Sequence, residues 1–443
     1  MSEYSKPTTE TEFEKNFEQI KPLMNSTQAY YESSRCLFCY DAPCVNACPT
    51  RIDIPLFIRQ INSGNITGSA KTIYESNYFG YACGKVCPTD VLCEGACVYN
   101  LQEVKAIEIG RLQSFATSSA ISENKKLFIT GKPNGKKIAV IGAGPAGISC
   151  ACELRMLGYE VDIFEAKENP SGLTLYGVAP YKITNKETLD EMDYLEKQFE
   201  FKIIYNSPVY SKEEFVKLEK DYDAIFLGIG LGKTTSLKLK GEDLKNCFGA
   251  VEFISELRMN HANVSVGKKV IVLGGGNTAM DAASESARLG AEKVILAYRR
   301  SKDEKGAYEF EYDLAKGVGV AGMFNVSPVE IMGKEKVEGV KFIRTEVANG
   351  KVNEITGSEF TETCDMVIFA TGQSKQKEML MNISEMKLDE KERVIVNSVT
   401  YQTNNPKYFA AGDMISGGEE VVNAVADAKV AARGIDEYLK NKK

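Results

Sequence analysis

Two βαβ units with glycine-rich first turns, at Gly142 and Gly274, lie about 130 residues apart in this chain, and eight of its 12 cysteines crowd into residues 36–97 ahead of them. These observations predict an α/β protein. Two Rossmann-like dinucleotide-binding domains, the second inserted in the first, follow a mainly helical, cysteine-rich domain. With 443 residues the chain has room for two or three domains, each with its own core. Its 43% hydrophobic and 26% charged content is that of an ordinary globular enzyme. A net charge of −7 disfavours nucleic acid as a partner, since such binders carry a basic face. No apolar run is long enough to span a membrane. The N-terminus, MSEYSKPTTETEFEKNF, lacks the apolar centre of a signal peptide, so a cytoplasmic location is expected. Cysteines there hold metal more often than they form structural disulfides.

The first 20 or so residues are polar and read as a loose arm with a short helix. Residues 25–120 are dense in cysteine, glycine and short helical patterns. IDIPLFIRQI (52–61) has the spacing of an amphipathic helix, and 103–118 reads as a loop or short strand running into a helix. A lysine- and glycine-rich linker covers 126–136. KIAVI (137–141) is a short buried strand, GAGPAGISCACELRMLG a turn and helix, and YEVDIFEA a second strand. The same pattern returns over 268–300. Residues 321–363 alternate apolar and polar positions, with a turn at Asn349-Gly350, and read as antiparallel strands added to the second unit. VVNAVADAKVAARGIDEYL (421–439) is a long amphipathic helix. The expected domains are 1–125 for the cysteine-rich part, 126–260 with 373–443 for the first nucleotide fold, and 261–372 for the inserted second.

Gly142, Gly144 and Gly147 meet three separate needs: a tight turn, close approach of a pyrophosphate, and close packing of helix on strand. Pro145 and Ala146 begin the helix whose free N–H groups face the phosphates. Glu165, followed by Ala166, ends the second strand, where a carboxylate can hold an adenosine ribose and would repel a 2′-phosphate. In the second unit Gly274, Gly276 and Ala279 take the three small positions, with Asn277 and Thr278 at the helix start. Arg299 and Arg300 stand where Glu165 stood. Two guanidinium groups suit a 2′-phosphate, and Lys305 adds charge, so NADPH is favoured over NADH. The other reading leaves both arginines on a solvated strand end. Two different dinucleotide units point to a flavoprotein, with FAD in the first and the nicotinamide in the second. Ala370, Thr371 and Gly372 mark the return from the inserted domain. Gly412 and Asp413 end a late strand, where Asp413 can meet a ribityl hydroxyl.

The cysteines are Cys36, Cys39, Cys44 and Cys48, then Cys83, Cys87, Cys93 and Cys97. Only Cys36 and Cys39 have the CxxC spacing of a zinc site, while Cys48 and Cys87 each precede a proline, as in ferredoxin-type runs. Two [4Fe–4S] clusters are the favoured reading and structural zinc the rival. Cys150, Cys152, Cys247 and Cys364 read as ordinary thiols. The nicotinamide unit lacks a redox CxxC, which argues against thioredoxin reductase. His261, the only histidine, is given no role.

ESSRCLFCYDAPCVNACPTRIDI, CGKVCPTDVLCEGAC, GRLQSFA, GAGPAG, GGGNTAMDAA, YRR and AAGD together resemble one architecture over about residues 30–440. It is that of the N-terminal half of dihydropyrimidine dehydrogenase, of the separate bacterial subunit that supplies that half, and more widely of the glutamate synthase small subunit. The resemblance implies that Cys36, Cys39, Cys44 and Cys97 hold one cluster. It implies that Cys48, Cys87, Cys93 and Gln113 hold the other, with Cys83 a bystander; the other assignment makes Cys83 the ligand and Gln113 a surface amide. SGLTLYGVAPYKIT matches the flavin-contacting segment, with Gly172, Leu173 and a basic Lys182. Ser171 replaces a more usual glycine, and YGVAPYK is closer to the glutamate synthase form. EKGAY at 304–308 lacks a proline common in relatives. The implied activity is electron input: NAD(P)H reduces FAD, and the clusters pass electrons to an FMN-containing catalytic barrel in a separate chain, within a hetero-oligomer. No residue is expected to act as a catalytic acid or base. Alternatives are the glutamate synthase small subunit, and an electron-transfer or scaffold protein without nicotinamide turnover.

Overall fold

The computed structural model describes residues 4–442 and divides into two compact units. One comprises residues 20–175, 182–231 and 375–443. The other comprises 232–374 with the short segment 176–181 and the N-terminal arm as far as Gln19. Among the described residues no helix is long and apolar enough to cross a membrane.

The first unit opens with short helices: Ser26–Ser34, Pro43–Ala47, Ile54–Asn62, Ile66–Ser76, Gly80–Val86 and Ile109–Ser122. Ile54–Asn62 is the amphipathic helix expected from the sequence. Asp53 caps it by accepting the Leu56 N–H, and Ile54, Phe57, Ile58 and Ile61 are its buried face. The stretch before Ile109 has no strand; 103–108 is loop. Helices Gly80–Val86 and Ile109–Ser122 cross almost backbone to backbone. A Cβ on Gly84 would lie 2.7 Å from the Gly110 carbonyl, and one on Gly110 would lie 2.6 Å from the Gly84 carbonyl. Only glycine permits that approach.

Behind this lies a five-stranded parallel sheet in the order 408–410, 224–227, 137–141, 160–164, 202–204. Lys137–Ile141 begins as the sequence predicts and is buried because sheet neighbours and helices cover both faces. The chain starts at this central strand, moves outward and returns on its other side. That makes a switch point between Lys137–Ile141 and Ala224–Leu227, where such sheets bind ligands. The last helix, Val421–Asn441, packs on helix Pro145–Met156.

The second unit repeats the plan. Its parallel sheet runs 247–249, 366–369, 269–273, 293–298, 321–324. Two expectations are corrected here. Strand Cys247–Gly249 and helix Ala250–Asn260 belong with this second sheet, so the crossing into it comes before residue 261; a three-residue strand has too little pattern to show in sequence. Ala321–Phe324 pairs parallel to Lys293–Tyr298, and only the strands after it are antiparallel. Those form a four-stranded leaf around Val337–Ala348. Its hairpin turns at Asn349 and Gly350, both at positive φ (53° and 74°), as a tight turn of this kind requires. Val340 and Phe342 of the leaf share a core with Ile271, Leu273 and Val367 of the sheet.

The N-terminal arm lies on this second unit. Phe13 stacks on the His261 ring at 4.2 Å between centroids, and Glu10 meets His261 Nε2 at 2.6 Å. Arg288 donates to the Asn16 carbonyl and lies over the rings of Tyr4 and Tyr181. His261 thus fastens the arm, a role its polar setting in the sequence did not suggest.

Candidate cofactor sites

The eight clustered cysteines line two separate hollows. Cys36, Cys39, Cys44 and Cys97 surround one, with Leu37, Pro43, Ile58 and Tyr99 among its walls. Cys48, Cys83, Cys87 and Cys93 surround the other together with Gln113 and Asn77. The two runs are therefore interleaved: Cys97 crosses to the hollow of the first run, and Cys48 to that of the second. Among the described residues no three His, Cys, Asp or Glu side chains converge on a point in the manner of ligands to a single ion. Burial pushes the Cys44 thiol up to about 12 and also raises Cys36 and Cys93. Cys87 is raised first by its hydrogen bond with Cys83 and then by burial. Thiols in such dry hollows keep their protons until a positively charged centre replaces them.

The second hollow has five candidate donors. Gln113 is buried, at 6% exposure, so it is not a surface amide. Its Nε2 donates to the Gly80 carbonyl at 2.6 Å, so Oε1 is the end of the amide that this bond does not use. Cys83 also lines the hollow, one turn before Cys87 on the same helix. Lys21 fixes the Cys87 turn by donating to the Cys87 carbonyl and to Thr89 Oγ1. Val422, at the start of the last helix of the parallel-sheet fold, forms part of the same wall. Sequence reading missed Asn77 because nothing local distinguishes it from an ordinary helix-ending asparagine.

The first nucleotide turn has the three properties its glycines require. Gly142 sits at φ +97°, with the Gly228 carbonyl 2.6 Å from where a Cβ would be. A Cβ on Gly147 would lie 1.8 Å from the Gly142 carbonyl. A Cβ on Gly144 would meet only ordinary contacts, the nearest being Gly172 Cα at 3.8 Å, and Gly144 leads into helix Pro145–Met156, with Ala146 buried in its first turn. Glu165 is buried; its carboxylate accepts the Ala143 N–H at 2.7 Å and the Lys167 N–H at 2.8 Å, so it is locked onto the turn it was expected to serve. Ala166 is exposed beside it. Gly172 lies against Gly144, with Leu173 starting a short helix after it. Ser171 adopts φ +80°, a conformation glycine takes far more easily. Lys182 is buried in the same unit. Gly412 touches Ala146 and Ala424, so the late strand does reach the helix start. Asp413 accepts the Glu419 N–H at 3.1 Å, and burial raises its carboxyl.

In the second unit Gly274 packs against the Ala370 carbonyl, and Gly276 faces open space at the head of helix Asn277–Arg288. Asn277 accepts the Tyr308 N–H, Thr278 is exposed, and Ala279 is fully buried. Thr371 donates to the Thr235 carbonyl and Gly372 accepts the Thr235 N–H, which ties the 370–372 turn down within this unit. Arg299 and Arg300 follow strand Lys293–Tyr298 directly; their carbonyls accept from Thr345 and Asn325. Lys305 differs: it is paired with Glu309 and lies over the Tyr312 ring, so its charge is already shared.

The pyridine nucleotide-disulphide oxidoreductase family model matches residues 136–428. The chain belongs to that family. The family's nucleotide folds are here joined to a front domain, residues 13–125, that matches dihydropyrimidine dehydrogenase domain II, 4Fe-4S cluster. Glutamate synthase [NADPH] small chain of Escherichia coli (strain K12) is 34% identical over 96% of this chain and 94% of its own length. NAD-dependent dihydropyrimidine dehydrogenase subunit PreT of the same organism is 32% identical over 95% and 97%. Among solved structures, Mycobacterium tuberculosis FprA in complex with NADPH shares the fold, with a TM-score of 0.58 at 20% identity over 70% of this chain and 85% of that one. This member of the pyridine nucleotide-disulphide oxidoreductase family is an NAD(P)H-dependent oxidoreductase with an iron–sulfur front domain. The donor sets suit these groups: thiols around two hollows for [4Fe–4S], and two glycine-cradled helix starts for FAD and NAD(P)H.

Proposed function

We infer that this chain is the electron-input subunit of a dihydropyrimidine dehydrogenase, with pyrimidine reduction, or its reverse, assigned to an FMN-containing barrel in a separate chain. Bound FAD would supply the change from two-electron to one-electron chemistry between NAD(P)H and the [4Fe–4S] clusters. The chain's own residues bind and orient. Gly142, Gly144, Gly147 and Glu165 hold the flavin nucleotide, and Gly274, Gly276 and Ala279 the nicotinamide nucleotide. Arg299 and Arg300 neutralise a 2′-phosphate, which makes NADPH the preferred donor. Cys36, Cys39, Cys44 and Cys97 hold one cluster; Cys48, Cys87, Cys93 and Gln113 hold the other. The single observation that carries this reading is the pair of cysteine-lined hollows, the second of them walled by Val422 of the fold that carries the first nucleotide turn. Gln113 supports the pyrimidine branch, because it lines the second hollow and its bond to Gly80 does not use its oxygen.

A second reading, the glutamate synthase small chain, is favoured by the YGVAPYK segment and by the 34% identity to that protein. Purification from the native host under nitrogen separates the two. A co-purifying FMN protein of barrel size that reduces uracil or thymine supports the first. A large glutaminase-bearing chain replaces it with the second. Absence of flavin bleaching by either NADPH or NADH in stopped flow would remove both.

A further inference from the structure

The second hollow holds a polar side chain that the ligand sets do not use. Asn77 ends helix Ile66–Ser76, lines the hollow beside Cys48, Cys83, Cys87, Cys93 and Gln113, and has no exposed surface. Its Oδ1 accepts the Phe79 N–H at 2.9 Å. A backbone N–H needs an oxygen opposite it, so this bond fixes which end of the amide is which. Nδ2 is left buried with no hydrogen-bond partner. Buried donors are almost always satisfied, and an exception asks for a missing acceptor.

Gln113 is the mirror case. Its Nε2 is taken by the Gly80 carbonyl, and its oxygen is left over. Consecutive backbone groups, the Phe79 N–H and the Gly80 C=O, thus turn two amides of one hollow in opposite senses. An amide oxygen suits iron. An NH₂ group cannot ligate a cation, but it donates well to sulfide or thiolate. The walls of the first hollow include no amide side chain.

The geometry points to Asn77 as a positioning residue that donates Nδ2–H to a sulfur of the cluster in the second hollow, either a bridging sulfide or a cysteine thiolate. The donor stabilises the more negative, reduced state, and so makes this cluster easier to reduce than it would otherwise be. This inference rests on the two-cluster reading of the cysteines.

The test uses the full chain, purified anaerobically with its clusters and labelled with ¹⁵N-asparagine. Pulsed electron paramagnetic resonance of the reduced protein should show a ¹⁵N coupling on one cluster signal that is lost in Asn77→Leu. The same variant should lower that cluster's reduced-to-oxidised ratio about tenfold at fixed potential, which is about 59 mV for one electron, and leave the other cluster unchanged. A full complement of iron and sulfide with no ¹⁵N coupling on either signal overturns the inference. So does an Asn77→Leu protein that keeps both clusters with less than a twofold change in that ratio. If Asn77→Leu loses its iron, the wild-type coupling alone decides. Protein that lacks iron and sulfide altogether fails earlier, at the cluster reading itself.

Discussion

The helix that leads to Cys87 starts on a buried carboxylate, and its hold therefore depends on pH. Glu191 has no exposed surface. Its oxygens accept the Tyr81 N–H at 2.6 Å and the Ala82 N–H at 3.0 Å, at the first turn of Gly80–Val86, and the Tyr74 hydroxyl at 3.1 Å, from helix Ile66–Ser76. Burial is the largest influence and pushes the carboxyl from 4.5 up to about 7, against the opposing pull of the three donors. The folded protein then binds this proton more tightly than the unfolded chain does. Its contribution to stability is greatest at low pH, falls as pH rises from about 4.5 to about 7, and is level above that. At about 1.36 kcal/mol per tenfold, the full effect is about 3 kcal/mol, most of which falls between pH 5 and 8. Hydrogen exchange of the peptide spanning 80–87 reads this locally. Comparing wild type with Glu191→Gln at each pH cancels the intrinsic chemistry of exchange. The opening free energy of the variant should gain about 2 to 3 kcal/mol on wild type from pH 5 to pH 8. A difference flat to within about 0.5 kcal/mol would refute the reasoning. It would mean that the three donors outweigh burial and that the helix rests on a permanent anion.

Arg299→Ala should weaken NADPH by about tenfold or more, the scale of one charge-assisted hydrogen bond, with little effect on NADH. The concentration dependence of flavin reduction measures both, and equal losses would remove the 2′-phosphate assignment. Gln113→Leu should change or abolish one of two electron paramagnetic resonance signals; an unchanged spectrum at full iron content would reject Gln113 as a ligand and leave Cys83 as the fourth donor. Gly147→Ala places a methyl where the Gly142 carbonyl is only 1.8 Å away, so the turn must open. Purified protein should carry little FAD by its visible spectrum, and normal loading would show that the turn can yield.

What could be read from the sequence is what a few adjacent residues decide. The Gly142, Gly144 and Gly147 pattern is legible because each glycine answers a local backbone need, and strand Lys137–Ile141 because a strand covered on both faces is apolar after its first residue. The final helix shows through its apolar stripe. What was hidden depends on contacts across the chain. Glu191 lies about 110 residues from the helix it supports, and in sequence it is one more acid on a charged helix. The docking of the N-terminal arm on His261 joins residues some 250 positions apart. In sequence Lys305 reads as added charge for a 2′-phosphate, and its pairing with Glu309 and Tyr312 appears only once the loop is folded. Cys247–Gly249 was missed because a three-residue edge strand carries almost no periodicity.

One helix crossing brings Gln113 to the second hollow. Gly84 and Gly110 let two helices meet closely enough for their carbonyls to fill each other's missing side-chain space. Cys83 is the residue before Gly84, and Gln113 is three residues after Gly110, on the same helix face. The crossing therefore carries Gln113 into the hollow lined by Cys83 and Cys87, far from it in sequence. Neither run lines its hollow alone, since Cys97 joins the first and Cys48 the second. Residues 36–97 must then close around both sites together. Burial raises the Cys44 and Cys93 thiols, so iron bound at either would displace a proton.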